Sequence, residues 1–358
     1  MSFKILVGSY TTFITALSFT LSSPGSGTLS FLNKSPAGTN PSWIASNPTN
    51  SSIVYASQEN YNGQLLSFIL NPSTGALTQR GTISTGGGLP AYFRPLQSGK
   101  EIVAANYNSG TVADIYLGTD ESVFPTSYSS LLTLQGSGPN TARQASPHPH
   151  EVLEYVTGQQ LLVPDLGSDK VWRLIKGTSG TWQVGGFVQQ ALGSGPRHIA
   201  VADGFLYTVH ELSNTLTQQT LPPLASAVLP TTIATVSVVP EGADNSTLAA
   251  AELLLSPLNA EFPTQYLYAT NRFDPNPLGD SIAIFSLNPL KLVKQVYTGL
   301  NQIRGAALGG ANGEYIVAGG LVGGGVSVFQ RINGGADLVK LANINTPDVY
   351  NSSSFLFF

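Results

Sequence analysis

The chain contains no cysteine in 358 residues. Disulfides, a thiol nucleophile and cysteine-ligated metals are therefore excluded. Charge is also scarce: Asp, Glu, Lys and Arg make up 10% of the residues, against about 25% in an ordinary soluble domain. The net charge of −4 lacks the basic excess of a nucleic-acid binder. At 42% hydrophobic, the chain is too apolar to remain disordered. No run of about 18 apolar residues is present, so no helix is expected to span a membrane. Helical periodicity is nearly missing. The one helix-like stretch, residues 248–255 (LAAAELLL), runs into Ser256-Pro257, which leaves a strand open there. The N-terminal KILVGSY reads as a strand and turn, without the basic and apolar regions of a leader. A cytoplasmic location is favoured, and secretion after loss of a leader is left open. The N-x-S/T sequons at Asn33, Asn50, Asn245 and Asn351 are about as many as chance gives and carry no weight.

What is abundant is turn chemistry, with 38 Gly and 23 Pro. Between these breaks lie short apolar runs rich in Val, Ile, Leu and Tyr, the pattern of strands. A phrase recurs: a Pro with a small or polar neighbour, a strand, a Gly- or Asn-containing turn, a second strand, a polar turn and a third strand. Copies open at Asn40-Pro41, Leu89-Pro90, Ser146-Pro147-His148-Pro149-His150, Gly195-Pro196-Arg197-His198 and Ile303-Arg304-Gly305. A further copy contains YLYATNRFDPNPLGDSIAIFSL, and KILVGSY supplies a partial one. Seven units give a period of about 50 residues, within the range of propeller blades. The expectation is an all-β, seven-bladed β-propeller of four-stranded antiparallel blades, one domain over residues 1–358. Such a ring buries the faces of its sheets and leaves few edges. The apolar tail SFLFF is expected to close the first blade against the last.

Equivalent positions in a ring share height and radius. One set of offsets follows the opening Pro and holds Ser42, Ala91, His150, Arg197 and Arg304. A second lies in the turn after the second strand and holds Glu59, Asn106, Asp165, His210 with Glu211, and Asn271 with Arg272. Both sets are expected to line one mouth of a central channel. Three of the four His and three of the eight Arg fall at or beside these positions. In so uncharged a chain, that concentration points to a small anionic ligand, because guanidinium pairs with carboxylate in two-pronged fashion. Plainer readings stand beside it. Asn106 and Asp165 would equally satisfy backbone N–H groups, Arg304 would serve as an interblade ion pair, and His198 is expected to point into its blade as core. No familiar metal-ligand spacing, P-loop, G-x-S-x-G elbow or dinucleotide fingerprint is present, so neither metal nor cofactor is expected. Homo-oligomerisation is left open.

The phrases SPHPHEV, LLVPDLGSDKV, GSGPRHIAV, FLYTVHELSNT and YLYATNR resemble the seven-bladed lactonase family over almost the whole chain. That family groups bacterial 6-phosphogluconolactonase-like proteins with the fungal 3-carboxy-cis,cis-muconate lactonizing enzyme. The resemblance implies catalytic roles for His148, Glu211, Arg197 and Arg272, and the repeat offsets add His150, His210, Arg304, Asn106, Asp165 and Glu59 as substrate-binding candidates. The chain departs from the family pattern in four places. His210 replaces an Asn, Tyr92 replaces a His with Arg94 nearby, NRFDPNPLGDSI lengthens a turn, and AGGLVGGG replaces polar residues in the last unit.

The first expectation is a cofactor-free lactone-forming cycloisomerase, like carboxymuconate cyclase. Arg197 and Arg272 would clamp carboxylates while Glu211 or His148 delivers a proton. The alternative is a lactone hydrolase of the 6-phosphogluconolactonase type, with His148 or His150 as base and Arg304 or Arg94 on a phosphate. A third reading is a non-catalytic propeller that binds a partner or glycan.

Overall fold

The computed structural model describes residues 1–358 as seven four-stranded antiparallel sheets and two 3-10 turns. Each sheet is one blade. The innermost strands are Ser352–Phe357, Pro41–Asn47, Pro90–Pro95, Leu153–Val156, Pro196–Ala202, Leu253–Leu255 and Asn301–Gly309, for blades one to seven. The helix-like stretch contributes a strand over Leu253–Leu255 alone.

The second strands explain the unbroken apolar runs. Neighbouring residues on a strand point to opposite faces, and here both faces are covered by adjacent blades. Ile5 packs with Tyr315 and Val317 of the seventh blade, whereas Leu6 packs with Val54 and Phe68 of the second. Seven apolar clusters result, one at each interface between neighbouring blades.

The chain ends close the ring. Ser352–Phe357 is the innermost strand of the first blade, with Val7 opposite Phe355 and Ile5 opposite Phe357. Closure thus joins the last residues to the first, as the tail suggested.

Register then fixes where functional side chains go. Pro41 lies opposite Gln58, Pro90 opposite Asn106, Pro149 opposite Asp165 and Pro196 opposite His210. The residue after the opening Pro and the turn after the second strand therefore sit at the same end of every such blade.

One interface carries buried charge. Glu101 of the third blade accepts from Trp182 Nε1 at 2.6 Å and from Lys176 Nζ at 2.5 Å, both on the fourth. Asp114 is buried nearby, with neither oxygen hydrogen-bonded. Burial, and then the Glu101 carboxylate, raises its pKa from 3.8 to about 8.

Two outcomes follow from these contacts. Phe355→Ala should cost about 3–5 kcal/mol, read as a lowered urea midpoint at unchanged slope. For Asp114 the folded pKa is raised, so its contribution is full below about pH 4 and is lost as pH rises to about 8. Asp114→Asn should therefore gain Tm over the parent progressively between those limits and level off above them, measured by thermal melts across pH.

Candidate functional site

Glu211 organises one mouth of the channel. It sits in the turn after the second strand of the fifth blade, held by its N–H donating to Gly195 O at 2.8 Å. Gly195 takes φ +65°, and a Cβ there would lie 2.5 Å from Leu212, so only glycine permits this approach. The Glu211 carboxylate is buried and receives three guanidinium groups: Arg143 Nη2 at 2.6 Å on Oε1, with Arg197 Nε at 3.0 Å and Arg272 Nη2 at 2.9 Å on Oε2. Burial opposes its charge, but Arg272, Arg197 and Arg143 outweigh it and hold the carboxyl well below the usual range. Arg197 is pushed down to about 10, by burial first and then by Arg272 and Arg304, and stays charged at neutral pH.

A second ion pair closes the other side. Arg304 lies 3.5 Å from Glu59 Oε1, and Tyr10 Oη donates to Glu59 Oε2 at 2.6 Å. The Arg304 guanidinium also stands over the Tyr10 ring. Arg304 is thus an interblade bridge and, with a side chain 23% exposed, still open to solvent. Four guanidinium groups and two carboxylates meet at this mouth.

His148 lies in the segment entering the fourth blade, with its N–H on Asp165 Oδ1 at 2.6 Å. Its ring stacks on Tyr107, centroids 4.6 Å apart, and Nδ1 donates to Tyr107 O at 2.8 Å. A carbonyl only accepts, so the proton is on Nδ1, and in the neutral ring Nε2 keeps a free lone pair. Tyr107 also receives Arg143 on its hydroxyl at 3.4 Å, tying the imidazole to the cationic cluster.

Below this level the channel is filled. His198 is buried among Trp43, Tyr92 and His150 of three other blades, and its Nδ1 lies 2.8 Å from Glu252 Oε1 and 3.7 Å from Glu151 Oε2. The mouth is therefore a blind funnel. A cavity of about 590 Å³ opens at the opposite end. Leucines of the innermost strands wall it, and Arg94, Glu151 and Glu154 are its charged groups. Glu154 is spent on the N–H groups of Gln97 and Gly158, and Glu151 on that of Ile199. No histidine lines that end.

Of the ten site candidates, His148, Glu211, Arg197, Arg272, Arg304 and Glu59 converge on the mouth. Four take other places. Asp165 accepts the N–H groups of His148, Gly167 and Ser168 and the Trp172 indole, so its turn consumes it. Asn106 donates to Thr85 O and Thr111 Oγ1 and is wholly buried. His210 points between strands onto Thr217 Oγ1 at 3.0 Å, and burial pushes its pKa down to about 3. His150 is buried beneath Tyr107, and burial, then the Arg197 charge, holds it neutral. The strand direction explains Asn106 and His210: at the second-strand end, alternate residues face away from the axis, whereas His150 lies in the filled channel beneath the mouth. His198 is corrected in the other direction, since it lies in the channel rather than in its blade.

The sequence reading missed Arg143, Tyr107 and Tyr10. Tyr10 occupies the turn after the second strand of the first blade and was reachable by the repeat rule. Arg143 lies in the irregular linker before the fourth blade and has no counterpart in other units.

A closed ring of seven sheets with a cationic mouth defines a seven-bladed propeller. The chain belongs to the family described as "Lactonase, 7-bladed beta-propeller", which matches residues 4–349. An Arthroderma benhamiae protein named "Probable 6-phosphogluconolactonase" is 34% identical over 214 residues, covering 57% of this chain and 52% of that protein; the chain thus matches about half the length of that relative. A Formosa agariphila protein named "6-phosphogluconolactonase" is 25% identical, covering 92% of each. The solved structure of a periplasmic gluconolactonase of Pseudomonas aeruginosa superposes with a TM-score of 0.82 at 22% identity, over 100% of this chain and 99% of the other, a likeness of fold. These names favour lactone hydrolysis over the lactone-forming cyclisation placed first on sequence.

Removing the central anion tests the site's architecture. Glu211→Gln leaves buried guanidinium groups uncompensated and should cost about 3–5 kcal/mol of stability. Arg143→Ala should cost clearly less, because that side chain is 44% exposed. Chemical denaturation of the two variants checks the order.

Proposed function

We propose that the chain hydrolyses an anionic sugar lactone, of the kind named by its 6-phosphogluconolactonase relatives. One observation carries the reading: an imidazole with a free Nε2 stands beside a mouth where four guanidinium groups meet two carboxylates. A phosphate monoester carries about −1.5 to −2 at neutral pH and matches that excess.

In this reading Arg143 and Arg304, the two more exposed guanidinium groups, take the anionic substituent. The His148 Nε2 accepts a proton from water as the water oxygen bonds to the lactone carbonyl carbon. Guanidinium N–H groups stabilise the oxyanion. The ring C–O bond then breaks, the departing alkoxide takes the proton back from His148, and the product is the open hydroxy acid. Glu211 stays ionised throughout and positions Arg143, Arg197 and Arg272. That weighs against cyclisation with Glu211 as acid, because a carboxyl held ionised by three cations has little tendency to carry a proton.

The test is a lactone hydrolysis assay corrected for the spontaneous reaction. His148→Ala should lower kcat by about 10²-fold or more with little change in KM. Arg304→Ala should raise KM for the phosphorylated lactone more than for its unphosphorylated counterpart. An unchanged rate in His148→Ala overturns the mechanism.

A further inference from the structure

The last blade's AGGLVGGG turn departs from the family pattern and has no part in the chemistry above. Gly324 and Gly325 take φ of +84° and +70°, and a Cβ at Gly325 would lie 2.1 Å from Ile344 O. Only glycine lets this turn lie against the following backbone. Gly320 and Gly323 contribute no side chain to the recess beside this turn. The recess is a pocket of about 370 Å³, lined by Gly320, Leu321, Val322, Gly323, Asn345, Tyr350 and Asn351.

This pocket adjoins the mouth. Gly320 pairs with Ile303, the residue before Arg304. Asn351 O accepts from Tyr10 N at 2.9 Å, and the Tyr10 hydroxyl holds Glu59. A ligand whose anionic group meets Arg304 therefore has this recess as its next neighbour along the rim.

The lining chemistry selects the occupant. It contains no charged residue. Tyr350 is 48% exposed and Val322 63% exposed, giving an aromatic face and an apolar edge. The Asn343 amide is committed to the Gly324 and Val326 carbonyls, whereas the Asn345 and Asn351 amides make no side-chain hydrogen bond. An amide both donates and accepts, as do vicinal hydroxyls. An aromatic face covers the C–H side of a ring. A neutral, hydroxylated ring uses all of these groups, whereas a plain hydrocarbon or aryl group would leave both amides idle.

We infer that the pocket bounded by Val322, Tyr350, Asn345 and Asn351 is a glycosyl subsite, so that the favoured lactone carries a second sugar ring beyond the one hydrolysed. This rests on the lactone-hydrolase reading and names its substrate class more narrowly.

The experiment has a kinetic and a binding arm. Glucono-1,5-lactone is compared with cellobiono- and maltobiono-1,5-lactone, none of which carries phosphate, so only the added ring differs. The parent should favour at least one disaccharide lactone in kcat/KM by about tenfold, equivalent to about 1.4 kcal/mol. Tyr350→Ala, and Val322→Trp, which fills the recess, should bring the ratio to within about twofold, with the glucono-lactone rate unchanged. Tyr350→Phe should keep the preference. In the binding arm, saturation-transfer NMR with cellobiose and maltose should show contact that Val322→Trp abolishes. Hydrolysis of all lactones with no preference, or a preference that survives both variants, overturns the subsite and leaves the hydrolase reading standing. Disaccharide contact abolished by Val322→Trp, with neither these lactones nor 6-phosphogluconolactone turned over, supports the subsite and overturns the hydrolase reading. Neither contact nor preference overturns the subsite.

Discussion

The antiparallel pairing of each innermost strand with its outer neighbour is the constraint on which the site depends. It sets the start of one strand against the end of the next, so two stretches some 15 residues apart in sequence meet at one height. In the fifth blade Pro196 faces His210, and the following residues, Arg197 and Glu211, meet at 3.0 Å. The same pairing delivers Glu59 from the second blade and Arg272 from the sixth. Ring closure through Ser352–Phe357 then turns equal heights into convergence on one axis.

Convergence of charge in a buried place needs compensation. The mouth solves this with one carboxylate serving three guanidinium groups and a second pairing with Arg304. Guanidinium groups outnumber carboxylates there, and Arg143 and Arg304 are the ones with most access to water. The imidazole of His148 is fixed in one tautomer by a backbone carbonyl and a stacked ring, so its basic nitrogen is preorganised. The filled channel beneath removes any path through the ring and confines a ligand to the rim.

Most of the architecture was legible because blades repeat. Apolar runs bounded by Gly and Pro, repeated at constant offsets, identify strands, blade number and even the closing tail. The repeat rule also identified which residues share a height. It said less about direction, since a side chain at the right height points either to the axis or into a neighbouring sheet. Arg197 points to the axis, while His210 turns onto Thr217 and Asn106 onto Thr85. Hydrogen-bond demand in tight turns decided Asp165, whose acceptors are all spent locally. Arg143 was hidden for a different reason: it comes from a linker outside the repeat, and only the folded chain brings it to Glu211. The glycine-rich turn of the last blade likewise reads as ordinary turn chemistry until the space it leaves beside Tyr350 is seen.

The most direct test of the account is a crystal structure of the protein soaked with 6-phosphogluconate, the open hydroxy acid that hydrolysis would leave. The account predicts the phosphate against Arg143 and Arg304, with the carboxylate end within hydrogen-bond reach of His148 Nε2. Density for the acid at the opposite end of the channel, in the leucine-walled cavity beside Arg94, with the cationic mouth empty, would contradict it.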